Sequence, residues 1–463
     1  MRDKRAILVV GAALLAAVAT ASIVMTRDGA SPAITKRALT PTADAIRYRF
    51  TALQSKAGQD PLSAIPEMEA RVAASPSPFD ASELGELYLR RAQVAGDPRD
   101  YDRAEQLAKQ SLALLPAPNG APLTLARVAT ARHEFRTAIQ ITRDYLETAH
   151  STSAYTILTT AYLALGELPA AAEAAETQVA ENPSSGAYLM RALVMQAQGR
   201  DVEAAYDFSR AVVVETVGDL KESARLRTLW GRFLLRRGDT SGAEMLVTEA
   251  LRLVPADGLA LAQRGEVALR SGHPREARTL FEQAFESSRQ VRYLIDQARA
   301  RDLSGDTAGA NATRTMVERL VRTELEINGT GHGLDLVEIL TDRAEPSDLI
   351  EAIRVGSDEV ARRPSAEVRF QLARAYARSG KHRDGLIQIR AALATGARDA
   401  RIYELASRLE AANGNHPRAD MYRTLARELD PRDAGWRTHG MSVIPGAVVP
   451  GASFPVARAM VTP

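Results

Sequence analysis

Residues 259–282 read LALAQRGEVALRSGHPREARTLFE, and their small residues indicate how most of the chain folds. Gly265 lies in a predicted first helix, Gly272 in a predicted turn, and Ala277 with Phe281 in a predicted second helix. Small residues at facing positions let two antiparallel helices approach to about 8–10 Å, and the aromatic ring fills the space that they leave. A glycine ends a helix by adopting a left-handed conformation. The stretch therefore predicts a helix–turn–helix unit.

The same signals recur along the chain, mostly at intervals of 33 or 34 residues. The small residue that opens the second helix falls at Ala104, Ala138, Ala171, Ala204, Ala243, Ala277, Ala310, Ala352, Gly385 and Ala419. A turn glycine comes five residues earlier at Gly166, Gly199, Gly238, Gly272, Gly305, Gly380 and Gly414. A proline comes twelve residues later at Pro116, Pro183, Pro255, Pro364 and Pro431. A weaker unit has Ala64 followed by Pro76.

This pattern resembles the tetratricopeptide repeat (TPR), a helix–turn–helix unit of about 34 residues. Leu84-Gly85-Glu86-Leu87-Tyr88 matches its first-helix motif, and Ala204 with Phe208 matches its second-helix motif. The resemblance covers roughly residues 78–432, plus a degenerate unit over 42–76. It implies an all-α fold, a right-handed α-solenoid of about ten to eleven units. No such unit buries its apolar face alone, so the length of the chain counts repeats rather than globular domains.

Two longer intervals interrupt the repeat. The first falls around residues 217–223, and the second falls before Ala352, where Asn328-Gly329-Thr330-Gly331-His332-Gly333 is the glycine cluster of the array. We predict a flexible joint at 324–333 between TPR blocks at 78–323 and 334–432. The Pro- and Gly-rich tail, 433–463, cannot be helical throughout. We expect it to be disordered, or else to dock through Trp436 and Phe454.

The N-terminus carries an export signal. Arg2, Lys4 and Arg5 precede an apolar run at residues 6–25, which reaches the length of about 20 residues that spans a bilayer. We predict a signal anchor within 1–30, followed by a linker at 31–41. Ala19-Thr20-Ala21 leaves a cleaved signal peptide as the alternative. The basic residues before the run would place the repeats on the non-cytoplasmic side, in the membrane-anchored or the secreted form.

Composition excludes several kinds of site. The 463 residues include no cysteine, so there are no disulfides, Cys-ligated zinc, iron–sulfur clusters or thiol nucleophiles. The formal net charge is +2, without the concentrated basic excess that nucleic-acid binding needs. We therefore predict that nucleic acid is not a partner.

No motif in the sequence predicts catalysis. His133-Glu134 has no second histidine at the spacing of a zinc protease, and residues 329–333 lack both the third glycine of a dinucleotide fingerprint and the Lys-Ser/Thr of a phosphate loop. No G-x-S-x-G nucleophile elbow occurs. We predict no catalytic residues, no metal, no cofactor and no enzymatic activity.

The resemblance implies that the first helices line a concave surface that binds ligands. The residues predicted to face this groove include ten arginines: Arg225, Arg232, Arg236, Arg270, Arg292, Arg299, Arg374, Arg378, Arg401 and Arg408. A guanidinium binds carboxylates through two parallel hydrogen bonds, so these residues are candidates for binding an acidic ligand. An arginine-rich chain also places arginine on every solvated face, often paired with glutamate on the same helix, and both interpretations stay open.

These observations predict a non-enzymatic TPR scaffold that binds protein partners, including acidic peptide segments. Tethered to the membrane or exported, it would assist assembly of an envelope or secretion complex. The alternative is an export-side module that binds an acidic polysaccharide or other acidic ligand through the arginine-lined groove.

Overall fold

The computed structural model describes residues 39–50, 61–95, 98–116, 119–218, 220–328 and 332–430. All regular structure within these ranges is helical, and one short 3-10 segment, Pro61–Ala64, precedes the second helix. The helices are α1 (Ala43–Ile46), α2 (Ile65–Ala74), α3 (Pro78–Ala95), α4 (Pro98–Leu114), α5 (Ala121–Ala131), α6 (Phe135–Leu146), α7 (Thr152–Leu165), α8 (Leu168–Glu181), α9 (Ser185–Ala197), α10 (Asp201–Val213), α11 (Leu220–Arg236), α12 (Thr240–Leu253), α13 (Gly258–Arg270), α14 (Pro274–Ser288), α15 (Val291–Leu303), α16 (Thr307–Asn328), α17 (Gly333–Arg343), α18 (Pro346–Arg362), α19 (Ala366–Arg378), α20 (His382–Ala394), α21 (Ala400–Ala412) and α22 (His416–Leu429).

Helices α3–α22 form ten consecutive antiparallel pairs, which confirms the predicted all-α architecture of helix–turn–helix repeats. The nine aligned alanines, Ala104 to Ala419, are all completely or almost completely buried. At Gly385 an added Cβ would lie only 3.2 Å from the carbonyl oxygen of Ala373. The small residues therefore stand where the two helices of a pair approach most closely. The described part of the predicted degenerate unit contains α1, the 3-10 segment and α2.

The turns inside the pairs use left-handed backbone. All seven predicted turn glycines have positive φ, between 72° and 87°. In the α5–α6 turn the equivalent residue is His133, which adopts the same region at φ 61° despite its side chain. This conformation costs a non-glycine residue of order 1–3 kcal/mol, so the contacts of His133 must hold it in place.

First helices form the inner layer of the solenoid. Each packs against the first helix of a neighbouring unit, as α7 does with α9, α11 with α13 and α17 with α19. Each second helix packs against its own partner and, except for α22 at the end of the described solenoid, against the first helix that follows. The predicted groove surface is therefore carried by the odd-numbered helices from α3 to α21.

We call the helix pairs from α5 to α12 the early units and those from α15 to α22 the late units. The solenoid winds until its late units touch its early ones. Arg363, after α18, lies with Nη1 3.3 Å from Nδ1 of His133, and Arg398, before α21, donates from Nη1 to the carbonyl of Gly199 at 3.3 Å. Arg270, at the end of α13, pairs with Asp430, which follows α22. The turns between the two helices of an early pair thus contact the loops just before the first helices of late pairs, as His133 contacts Arg363 and Gly199 contacts Arg398.

A segment near the start of the described chain packs on the middle of the solenoid. We call residues 46–49 the strap. Arg227 donates from Nε to the carbonyl of Ile46 at 2.6 Å, and Glu249 accepts from the amide of Tyr48 at 2.8 Å. Arg227 is completely buried, and Glu215 holds it with two hydrogen bonds of 2.8 and 2.9 Å. Glu215 lies in the longer connection before α11, so this interruption of the repeat secures the strap.

The chain divides into two compact units, residues 1–40 and 41–463. Of the first unit the structure describes only Leu39 and Thr40, so the predicted signal or anchor lies outside the described residues. Within the described ranges, no helix is both long and apolar enough to span a bilayer. Of the predicted joint, residues 324–328 continue α16 and α17 begins at Gly333, while 329–331 lie outside the described residues. The predicted tail, 433–463, also lies outside them.

Candidate binding site on the inner layer

The ten predicted groove arginines all lie on inner helices or at their ends. Three are on α11, one on α13, two on α15, two on α19 and two on α21. The structure does not leave them as one open stripe. Most are partly or fully buried, whereas Arg378 and Arg408 are exposed.

Arg292 and Arg299 of α15 belong to a buried ion network. Nη1 of Arg292 lies 2.8 Å from Glu338, and Nη1 and Nη2 of Arg299 lie 3.0 Å from Asp296 and 3.1 Å from Glu338. Asp296 and Glu338 are about 1% exposed. Carboxylates of the protein itself therefore occupy the positions that an acidic ligand would take on these two guanidiniums.

The remaining arginines also contact acceptors in the protein. Arg374 pairs with Asp342 at 2.5 Å, and Arg401 pairs with Asp399 at 2.9 Å and with Glu367 at 3.1 Å. The other contacts are Arg225 with Glu222 at 3.3 Å, Arg408 with Glu404 at 3.7 Å, Arg378 with the carbonyl of Asp342 at 3.3 Å, and Arg270 with Asp430. Arg236 lies close enough to Asp399 to lower the pKa of that carboxyl group.

Arg232 is different from these neighbours. Its side chain, on α11, is 3% exposed, and none of its three guanidinium nitrogens has a hydrogen-bond partner among the described residues. Burial, reinforced by the positive charge of Arg236, lowers the pKa of Arg232 to about 9. A buried charge without a partner is costly, so Arg232 is the inner arginine with the strongest need for an anion.

A cavity of about 240 Å³ lies where the late units meet the early ones. Its walls on one side are the C-terminal ends of α7, α9 and α11, and on the other side the N-terminal ends of α15, α17, α19 and α21. Arg236, Arg292 and Arg401 are the predicted site residues that line it. The cavity thus joins parts of the chain that are distant in sequence.

Buried charges surround the cavity. Burial alone would lower the pKa of His332, but Glu324 and Asp335 outweigh it and raise the pKa to about 9. Burial alone would raise the pKa of Asp399, but Arg401 and Arg236 lower it to about 2. At neutral pH His332 therefore favours its protonated form and Asp399 its ionised form, while burial also raises the pKa of Glu324, beside His332, to about 7. No group of three or more histidine, aspartate or glutamate side chains in the described ranges could hold a metal ion.

Sequence reasoning missed the carboxylates that pair with the arginines, and it missed the cavity. Asp296, four residues after Arg292, carries a local signal, since side chains at that spacing face each other on a helix. Glu338 carries none, because it pairs with arginines on the first helix of the preceding unit, across the irregular interval of the repeat.

The outer layer exposes large apolar side chains at two recurring positions, four residues apart on the second helix. Tyr206, Ile387 and Met421 each lie two residues after the aligned small residue of their second helix, and Val202 and Ile350 lie two residues before it. All five are exposed, and Ile350 and Ile387 are 72% and 63% exposed. The last three second helices, α18, α20 and α22, carry one such residue each.

No protein-family model matches the chain, and no curated protein matches it. Similar solved structures include a human IFIT1 dimer with PPP-AAAA, at 15% identity over 83% of this chain and 99% of that one, with a TM-score of 0.45. A tetratricopeptide repeat protein from Parabacteroides merdae is 18% identical over 54% of this chain and 99% of that one, with a TM-score of 0.37. PilW, a type IV pilus biogenesis factor, is 15% identical over 43% and 91%, with a TM-score of 0.37.

Proposed function

We propose that this protein is a non-enzymatic scaffold that binds protein partners through the outer layer of its solenoid. The observation that supports this most strongly is the exposed apolar residue on each of three successive second helices, Ile350, Ile387 and Met421. Exposed apolar side chains grouped on one surface mark protein interaction sites. The inner layer is less suited to this role, because its own carboxylates occupy most of its arginines.

We further propose that the repeats lie on the non-cytoplasmic side of the membrane, either tethered by residues 6–25 or released after cleavage. There the scaffold would assist assembly of an envelope or secretion complex. The basic residues before the apolar run support this placement. A tag at the N-terminus tests it: an anchor keeps the tag in the membrane fraction of the mature protein, and a cleaved signal loses it.

A triple variant tests the outer surface. Ile350→Glu, Ile387→Glu and Met421→Glu place charges on side chains that the fold leaves exposed, so the helical fold should be retained. Proteins cross-linked to the wild-type chain in its native membrane extract should be lost from this variant. The matched control is Thr279→Glu, at the equivalent exposed position of α14, which should keep them. Equal recovery by both variants would refute the proposal.

The alternative is a module for an acidic polysaccharide or another acidic ligand. The unpartnered guanidinium of Arg232 and the exposure of Arg378 and Arg408 favour it. The variant Arg378→Gln with Arg408→Gln removes two exposed charges without breaking a buried pair. A salt-sensitive interaction that this variant abolishes, while the outer triple variant leaves it intact, would support the acidic-ligand module.

A further inference from the structure

We propose that the cavity between the late and early units binds a small carboxylic acid with an adjacent N–H donor and an apolar side chain. Free amino acids and N-acylated amino acids both have this chemistry. The site is separate from the outer surface described above, and its ligand would contact both sides of the cavity at once.

The carboxylate is inferred from the side of the cavity formed by the late units. Arg401 lines the cavity and uses Nη2 to bind Glu367 and Asp399, while Nη1 is buried without a partner among the described residues. Helices α15, α17 and α19 begin at this wall, and in none of them does a first-turn amide donate to the side chain of the N-cap residue. First-turn amides and the positive end of the helix dipole favour an anion.

The N–H donor is inferred from the opposite side. Gln196, near the end of α9, lines the cavity and is 8% exposed. Its Oε1 has no hydrogen-bond partner among the described residues. A buried carbonyl oxygen without a donor costs free energy that a ligand N–H would recover. Gln196 and Arg401 thus present an unmet acceptor and an unmet donor to one cavity.

The apolar side chain is inferred from the rest of the lining. Leu163 and Leu193 come from the early units, and Val368 and Ile402 from the late units. Binding sites for small molecules combine such apolar walls with a few polar groups that fix orientation. Three acidic residues line the cavity, Asp335, Glu367 and Asp399. Asp335 is paired with His332, and the other two are paired with Arg401, so they do not repel a carboxylate as unpaired charges would.

The test measures binding of four leucine-related compounds to the full chain by calorimetry and by the shift in melting temperature. We expect L-leucine, N-acetyl-L-leucine or both to bind and to raise the melting temperature, because a ligand that binds the folded state stabilises it. N-acetyl-L-leucinamide lacks the carboxylate and should bind about 10-fold or more weakly than N-acetyl-L-leucine. The compound 4-methylpentanoate lacks the N–H and should bind about 3- to 10-fold more weakly. If L-leucine binds more tightly than N-acetyl-L-leucine, the ligand is a free amino acid, and if N-acetyl-L-leucine binds more tightly, the ligand is an N-acylated amino acid.

Two variants assign the contacts. Gln196→Met removes an unpartnered acceptor, so the ligand-free protein should melt at the same or a higher temperature. In Gln196→Met, N-acetyl-L-leucine and 4-methylpentanoate should bind with equal affinity. Arg401→Lys should lose about 10-fold or more in carboxylate affinity. If Arg401→Lys does not fold, Gln196→Met still decides. Absence of saturable binding by both leucine compounds, equal binding of the acid and its amide, or an unchanged preference in Gln196→Met would each overturn the proposal.

Discussion

Arg232, Arg299 and Arg408 occupy equivalent places on three inner helices, yet their surroundings differ. Arg232 is buried without a partner, Arg299 is buried between two carboxylates, and Arg408 is exposed. Replacing each by methionine, which is similar in length and uncharged, compares these environments. Arg232→Met should stabilise the fold by about 1–4 kcal/mol, because it removes a buried charge that makes no hydrogen bond and that the attraction of Glu266 only partly offsets.

The two matched variants should respond differently. Arg299→Met leaves the buried carboxylates of Asp296 and Glu338 with one guanidinium, that of Arg292, in place of two. It should destabilise the fold by about 3–5 kcal/mol, whereas Arg408→Met should change stability by no more than about 0.5 kcal/mol. Urea unfolding measures all three. A loss of stability in Arg232→Met would show that the attraction of Glu266 outweighs the cost of burying the guanidinium.

His332 gives a prediction of pH dependence. Its pKa is raised to about 9 from an ordinary value of 6.5, so the folded state binds the proton more tightly than the unfolded state. The stability that His332 contributes is therefore complete below pH 6.5 and is lost as the pH rises through about 9. His332→Gln should be destabilised most at pH 6 and least near pH 10.

Thermal melting at several pH values measures the difference between His332→Gln and wild type. His273→Gln, in an exposed turn, is the control and should show no such trend. A destabilisation by His332→Gln that stays constant from pH 6 to pH 10 would mean that the charge of His332 beside Glu324 and Asp335 does not stabilise the fold.

The connection between α10 and α11 has a role of its own, because its Glu215 binds Arg227, and Arg227 in turn binds the strap. Glu215→Ala should leave the guanidinium of Arg227 buried without its carboxylate partner and cost about 3–5 kcal/mol. It should also expose the strap to protease cleavage, because Arg227 holds the carbonyl of Ile46. Limited proteolysis and urea unfolding measure the two effects.

The control for Glu215→Ala lies seven residues further along. Glu222 also pairs with an arginine, Arg225, but its side chain is 69% exposed, and such surface pairs contribute about 0–1 kcal/mol. Glu222→Ala should leave both stability and strap protection nearly unchanged. Similar losses in the two variants would contradict a special role for the buried pair.

Much of the element-level structure was predictable because it depends on local spacing. Ala277 is buried and Gly272 is left-handed as the repeat pattern requires, and ten helix pairs follow from it. His133 shows where the pattern has no signal: a histidine takes the glycine conformation, and its contact with Arg363 comes from a unit far along the chain. The cavity escaped sequence reasoning for the same reason, since spacing within one unit does not determine which distant units meet.

Contact between late and early units can be tested with a pair of glycines. Gly199 and Gly272 both have positive φ, so alanine at either site costs about 1–2 kcal/mol of backbone strain. A Cβ at Gly199 would also lie 2.4 Å from Cδ of Arg398, whereas a Cβ at Gly272 meets no atom within 4 Å. Gly199→Ala should therefore melt at a lower temperature than Gly272→Ala. It should also have the larger radius of gyration by small-angle scattering, because Arg398 must leave its place against the early unit.

Equal melting temperatures and equal radii for Gly199→Ala and Gly272→Ala would show that the late units do not rest on the early ones in solution. The comparison removes the contribution of backbone strain, which the two variants share. It therefore measures the contact between the units alone.

The strap and Asp430 lie at opposite ends of the described solenoid, yet both attach to its middle. Glu249 of α12 binds the strap, and Arg270 at the end of α13 binds Asp430. Ordinary repeat arrays contact only their sequence neighbours, so they can fray from their terminal units and unfold in stages. Here fraying at either end must first break a contact with the centre. The chain should consequently lose its structure in a single cooperative step, as a globular domain does, and its folding should be slower than its local helix pairing alone would allow.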